Sequence, residues 1–245
     1  MSGHLLGWSR RSRRRVRVGK VVSGMQLEKN WEVLLRDPSV FESVLNAGPV
    51  SLSSFEKGHT GLIVVDMING FATEGPLSSS NTAEIIAPVA KLMKACREQK
   101  IPMVFFADTH TGESPEFGSY PVHCMAGTSQ SRPVQELEAV GGYTLIPKNS
   151  TNGFLEPAFD KWLKEHPEIT CFLVVGCCTD ICIQQFALTL KTEFNRTNRS
   201  SRVVVPVSMT ATYDAPGHPV ALIELASYLN MQTSGVEIVS DIGIE

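Results

Sequence analysis

The 245-residue chain is 42% hydrophobic, with 14 prolines and a formal charge of −3, so it can bury one sizeable core without needing a second domain. The charge is unevenly placed: residues 1–27 hold seven basic residues (Arg10, Arg11, Arg13, Arg14, Arg15, Arg17, Lys20) and no acidic one, which leaves 15 Lys and Arg against all 25 Asp and Glu in the remainder. That remainder is a poor surface for nucleic acid or an anionic membrane, so neither is expected as a partner.

In chain order, the head MSGHLLGWSRRSRRRVRVGKVV lacks an apolar stretch long enough for a secretory signal. Three readings of it stand: a disordered or upstream extension ahead of a start at Met25, an organelle transit peptide, or an anion-binding arm. Residues 1–24 are accordingly set apart from a single domain over 25–245. Helix-like pieces at 26–58 precede a first strand, LIVVD at 62–66, and a helix is expected over 82–99, capped by Asn81. Further strands are read at 102–108 (PMVFFAD), 144–146 (TLI), 172–176 (FLVVG), 202–207 (RVVVPV) and 236–239 (VEIV). Helices are expected at 156–166, 179–194 and 217–230, and NRTNRSS at 195–201 is a polar loop. This alternation predicts a three-layer α/β fold, a doubly wound, mostly parallel sheet of about six strands. No run reaches the roughly 18 apolar residues of a spanning helix. With six cysteines in a chain too large to need disulfides, reduced thiols and a cytoplasmic protein are the expectation.

In such a sheet, ligands sit beyond the carboxyl ends of the strands. The side chains there are Asp66, Asp108, Lys148 and the segment GCCTDIC at 176–182. Its cysteines could be a nucleophile, metal ligands or small apolar fillers. Cys182 falls in the first turn of a helix that Thr179 or Asp180 can cap, where unpaired N–H groups and the helix dipole favour a thiolate. Cys177 and Cys178 lie where the strand runs out, and CCxxxC lacks the paired CxxC knuckles of structural zinc. The backbone N–H groups of Cys178 and Cys182 lie close enough to form an oxyanion hole. Past the second strand, Asp108, His110, Glu113, Glu116 and His123 cluster within sixteen positions. Asp-x-His on an extended segment turns two ligands to one side and a later His can close a third position, although such a cluster by itself is more often a solvated loop.

The segments VVDMINGF (64–71), ADTH (107–110), YPVHCMAGT (120–128), PKNSTNGF (147–154) and GCCTDICI (176–183), in this order and spacing, resemble the nicotinamidase (pyrazinamidase) branch of the isochorismatase-like cysteine hydrolases. The resemblance spans about residues 60–240. It implies a catalytic triad of Asp66, Lys148 and Cys182, and a cis peptide between Cys177 and Cys178 that turns the Cys178 N–H into the oxyanion hole. It also implies one divalent metal on Asp108, His110 and His123, with a further ligand from the intervening loop, taken as Glu116 with Glu113 behind it. Zinc is the default for these ligands, with iron or manganese as alternatives. Phe71 and Tyr120 fall where the family has ring-contacting aromatics, the second usually Trp. Ile68 and Gly70 stand where it often has Gln and Asp.

The implied activity is hydrolysis of nicotinamide to nicotinic acid and ammonia through a cysteine thioester, a step of NAD salvage. The alternatives are another amide or carbamoyl hydrolase or an isochorismatase of the same fold, or a non-catalytic binding member. A small molecule is the expected partner, and homo-oligomerisation is left open. His4, His59, His166 and His218 are given no role, and Asp180 is read as a cap or loop anchor.

Overall fold

The computed structural model describes residues 38–244, so the basic head and the start of the 26–58 region lie outside the described residues. The chain divides after Val40, and the unit beginning at Phe41 is described below. Six apolar runs form its main strands: β1 (Thr60–Val65), β2 (Met103–Asp108), β3 (Thr144–Lys148), β4 (Cys171–Cys177), β5 (Arg202–Pro206) and β6 (Glu237–Val239). They lie in the order β3-β2-β1-β4-β5-β6, every pairing parallel. A seventh strand, Thr210–Ala211, pairs with the end of β4; two residues are too few to leave a pattern in the sequence. Val50–Ser51 and Ile242–Gly243 form a separate parallel pair.

Parallel strands buried on both faces read as unbroken apolar runs whose successive side chains point opposite ways. In β1, Leu62 and Val64 enter one core layer and Ile63 and Val65 the other. The first layer is closed by α1 (Ile86–Glu98) through Val89, Leu92, Met93 and Cys96, and by α2 (Gln135–Val140) through Leu137 and Val140. The second is closed by α3 (Pro157–Glu165), α4 (Gln184–Arg196) and α5 (Val220–Thr233) through Phe159, Trp162, Phe186, Leu190, Phe194, Tyr228 and Met231.

Two expectations about helices are corrected. The helix expected at 82–99 is two helices, Ser80–Glu84 and α1, interrupted at Ile85. Pro88 has no N–H to return to Glu84, so the first helix cannot run on. Ser79, not Asn81, caps it by accepting from the Asn81 N–H at 3.2 Å, while the Asn81 amide donates to the Thr212 carbonyl at 2.8 Å. The helix expected from 179 begins as a π-helical turn, Thr179–Ile183, with Cys178 at its N-cap position and no side-chain cap. Among the described residues no helix is long and apolar enough to cross a membrane.

The strand order reverses between β1 and β4, so the chain leaves β1 on one side and β4 on the other, opening a crevice at their carboxyl ends. Gly176 makes the close approach there feasible: at φ +119°, a Cβ would sit 2.0 Å from the Val65 carbonyl oxygen.

Candidate active site

Asp66 follows β1 directly, in the left-handed backbone region at φ 53°, which Asp tolerates better than most residues. Its N–H donates to the Phe106 carbonyl at 3.0 Å, and its Oδ1 accepts from the Asp108 N–H at 2.9 Å. The carboxylate is therefore anchored to β2 and aimed into the crevice. Lys148, the last residue of β3, extends beneath it, with Nζ 2.8 Å from Asp66 Oδ2, paired to Asp108 Oδ1, and 3.1 Å from the Ser150 carbonyl. Lys148 and Asp66 are almost fully buried. The Cys182 Sγ lies 3.7 Å from the same Nζ. The structure thus brings Asp66, Lys148 and Cys182 together.

Burial acts on all three. It pushes the Asp66 carboxyl up, Lys148 pulls it down and Asp108 raises it again, leaving it at about 7. Burial pushes Lys148 down, but the two carboxylates more than offset this and keep the ammonium charged. Asp108 is raised by burial and held well below the usual carboxylate range by Lys148, His110 and His123 together. Burial pushes the Cys182 thiol up and Lys148 opposes it only in part. Burial thus opposes the thiolate that the helix start and Lys148 favour, and Asp66, paired to the same ammonium, stands by as a base for the thiol proton. Cys178, half-buried, faces the same cavity; Cys177 is buried and donates its thiol to the Asp66 carbonyl at 3.2 Å. The Cys177–Cys178 peptide is cis.

Beside the triad, Asp108, His110 and His123 offer three buried ligand atoms within 4.8 Å of one another. His123 Nδ1 meets the Pro121 carbonyl at 2.8 Å and His110 Nδ1 meets Asn149 Oδ1 at 3.2 Å. Both partners accept, so Nδ1 carries hydrogen in each ring and Nε2 is turned toward Asp108 Oδ2, the orientation of a metal-ligating histidine, whose Nε2 would lose its proton to a cation. His110 Nε2 is buried without a hydrogen-bond partner, 3.4 Å from Asp108 Oδ2. A divalent cation fits this donor set. Glu116 stands at its edge, with Oε2 3.7 Å from His110 Nε2 and Oε1 accepting from the Thr151 N–H at 2.9 Å. Glu113 is exposed on the same loop.

Cys182 of the first group and Asp108, His123 and Glu116 of the second line one cavity of about 220 Å³. Phe71 and Tyr120 both line it, 5.7 Å and 6.1 Å from the His123 ring centroid. Leu77, Pro121, Thr151, Ile181 and Tyr213 complete the wall and were not singled out from the sequence. All but Ile181, which sits in the π-helical turn, come from loops with no periodic signal, and Tyr213 comes just after a strand two residues long.

A doubly wound sheet with a thiol, an ammonium and a carboxylate at its switch point defines a class, the cysteine hydrolases built on a parallel sheet. Residues 60–237 match the isochorismatase domain, and Nicotinamidase 1 of Arabidopsis thaliana is 32% identical over 214 residues, 76% of this chain and 87% of that protein. The chain belongs to the isochorismatase family. A cysteine hydrolase from Pseudomonas syringae pv. phaseolicola 1448A shares the fold with a TM-score of 0.66 at 18% identity, covering 78% of this chain and 93% of that one. The pyrazinamidase of Pyrococcus horikoshii in complex with zinc does so with 0.62 at 21%, covering 74% and 98%.

Proposed function

We propose that the protein is an amidohydrolase that cleaves nicotinamide to nicotinic acid and ammonia through a thioester on Cys182. The observation that carries this reading is the single cavity lined by Cys182, Asp108, His123 and the aromatics Phe71 and Tyr120. A nucleophile, a cluster of metal-ligating side chains and walls for a flat ring thus converge on one small space. The likeness to a plant nicotinamidase supports the substrate.

Asp66 takes the thiol proton, and Cys182 attacks the carboxamide carbon. The backbone N–H groups of Cys178 and Cys182 face the developing oxyanion. The proton held by Asp66 passes to the amine, the C–N bond breaks and ammonia leaves. Asp66 then deprotonates a water that hydrolyses the thioester, returning the thiol. Lys148 supports the ionised forms of Asp66 and Cys182 by proximity.

Asp108, His110 and His123, with Glu116 at the edge, would hold the divalent ion, which supplies a Lewis-acidic anchor for a ring nitrogen. Zinc suits these ligands, and the zinc complex of the Pyrococcus horikoshii pyrazinamidase supports it. Ammonia release from nicotinamide, pyrazinamide and N-carbamoyl compounds, with and without a chelator, tests the reading. Turnover of the two ring amides, lost on chelation and restored by added metal, is expected. Turnover of the carbamoyl compounds alone, or full activity without metal, contradicts it.

A further inference from the structure

Just outside the nucleophile turn, four residues form a closed hydrogen-bonded group that the chemistry above does not use. Asp180, two residues before Cys182, accepts from the Thr212 hydroxyl at 2.6 Å and pairs with His218 Nε2 at 3.0 Å. His218 Nδ1 meets the Tyr213 carbonyl oxygen at 2.9 Å, and its ring stacks on the Tyr213 ring at 4.0 Å with 10° between planes. A carbonyl and a carboxylate only accept, so both ring nitrogens carry hydrogen and the imidazole is a cation. Burial pushes this imidazole down, and Asp180 more than offsets that, raising it above its ordinary range.

The loop is pinned elsewhere too. Pro216 and Gly217, the latter at φ +87°, turn the chain so that the His218 N–H returns to the Ala215 carbonyl at 2.8 Å. The Asn81 amide holds the Thr212 carbonyl, and Asp214 Oδ1 accepts from the Val220 N–H at 3.1 Å. Tyr213 is half-buried and lines the cavity that holds Cys182.

We propose that Tyr213 is a third ring-contacting wall of the substrate pocket, and that His218, clamped to Asp180, is the positioning residue that holds it there. The proposal rests on reading this cavity as the nicotinamide site. Because the clamp is fastened to the turn that carries Cys182, the wall keeps a fixed distance from the nucleophile. An aromatic side chain held from behind by a stacked cation loses little freedom when a flat ring docks on its other face.

The test is steady-state kinetics on nicotinamide with the metal-loaded wild type, Tyr213→Ala, Tyr213→Phe, His218→Ala and the Tyr213→Ala/His218→Ala double variant. The kinetics are joined by amide hydrogen exchange over residues 212–218. Tyr213→Ala is expected to raise KM about tenfold while kcat stays within about twofold, and Tyr213→Phe, which keeps the ring, is expected to raise KM much less than Tyr213→Ala. His218→Ala is expected to raise KM several-fold and to speed exchange in the loop. The double variant is expected to match Tyr213→Ala alone, since His218 acts through Tyr213. Multiplying effects, a fall in kcat at constant KM, or an unchanged KM in Tyr213→Ala would overturn the proposal. If wild type leaves nicotinamide intact, the reading of the pocket falls instead. The clamp is then judged by exchange alone: faster exchange at 212–218 in His218→Ala supports it, and unchanged exchange overturns it.

Discussion

Lys148 holds two carboxylates at once, and most of the chemistry follows from that. Asp66 and Asp108 both reach its ammonium inside a site nearly closed to water. The lysine cannot neutralise both, so the two acids are driven apart: Asp108, which also faces two histidines, stays ionised, and Asp66 is lifted to about 7. An acid and base pair with separated affinities is what proton shuttling near neutral pH requires. The activity profile should therefore show kcat/KM rising with pH through an apparent midpoint near 7, and Asp66→Asn should remove the step together with most of the activity. The same shift has a sign for stability. A carboxyl at about 7 when folded and 3.8 when unfolded binds its proton more tightly in the native state. Its effect on stability therefore becomes less favourable as pH climbs from about 4 to about 7.

The placement of Asp66, Lys148 and Cys182 at the strand ends was legible because hydrophobic runs mark those ends. The burial of Cys182 was not. A helix start can be read from spacing, whereas desolvation depends on what packs over the sulfur.

At the scale of elements, the switch point between β1 and β4 positions the triad, and helix packing keeps it there. Phe186 of α4, the helix that follows the nucleophile turn, sits against Phe106 of β2 and Phe159 of α3 at ring centroid distances of 5.3 and 5.2 Å. Phe186→Ala should cost about 3–5 kcal/mol, read as a lower urea midpoint with an unchanged slope. Activity below the transition should be largely kept, because Phe186 does not line the cavity.

Strand positions came through the sequence well, since each parallel strand is an apolar run between turn residues. The break at Ile85 was visible in principle at Pro88. The π turn at Thr179–Ile183 was not, because its bonds answer to tertiary partners: Thr179 reaches Glu224 and Asp180 reaches His218. His218, read as background, becomes meaningful only once the fold returns the loop after Ala211 to the nucleophile turn.

At the scale of the whole molecule, the candidate metal ligands join the end of β2, at Asp108, and His110 two residues beyond it to a loop residue thirteen positions further on, His123. A ligand that binds only the native state stabilises it by mass action, about 2.7 kcal/mol at a hundredfold excess over Kd. Chelation should therefore lower the melting temperature, and zinc should restore it. Equal melting curves with and without metal would speak against the site independently of any activity. The excess of Asp and Glu beyond the basic head also predicts no measurable retention of residues 38–244 on nucleic acid at physiological salt.

The central claim is that the sulfur of Cys182, and not that of its cavity neighbour Cys178, performs the attack. Ammonia release from nicotinamide by matched preparations of wild type, Cys182→Ser and Cys178→Ser tests it most directly. The account predicts that Cys182→Ser loses at least about a thousandfold in kcat, while Cys178→Ser, which keeps its backbone N–H, stays within about tenfold of wild type. Near-normal turnover by Cys182→Ser, or an inert Cys178→Ser beside an active Cys182→Ser, would contradict it.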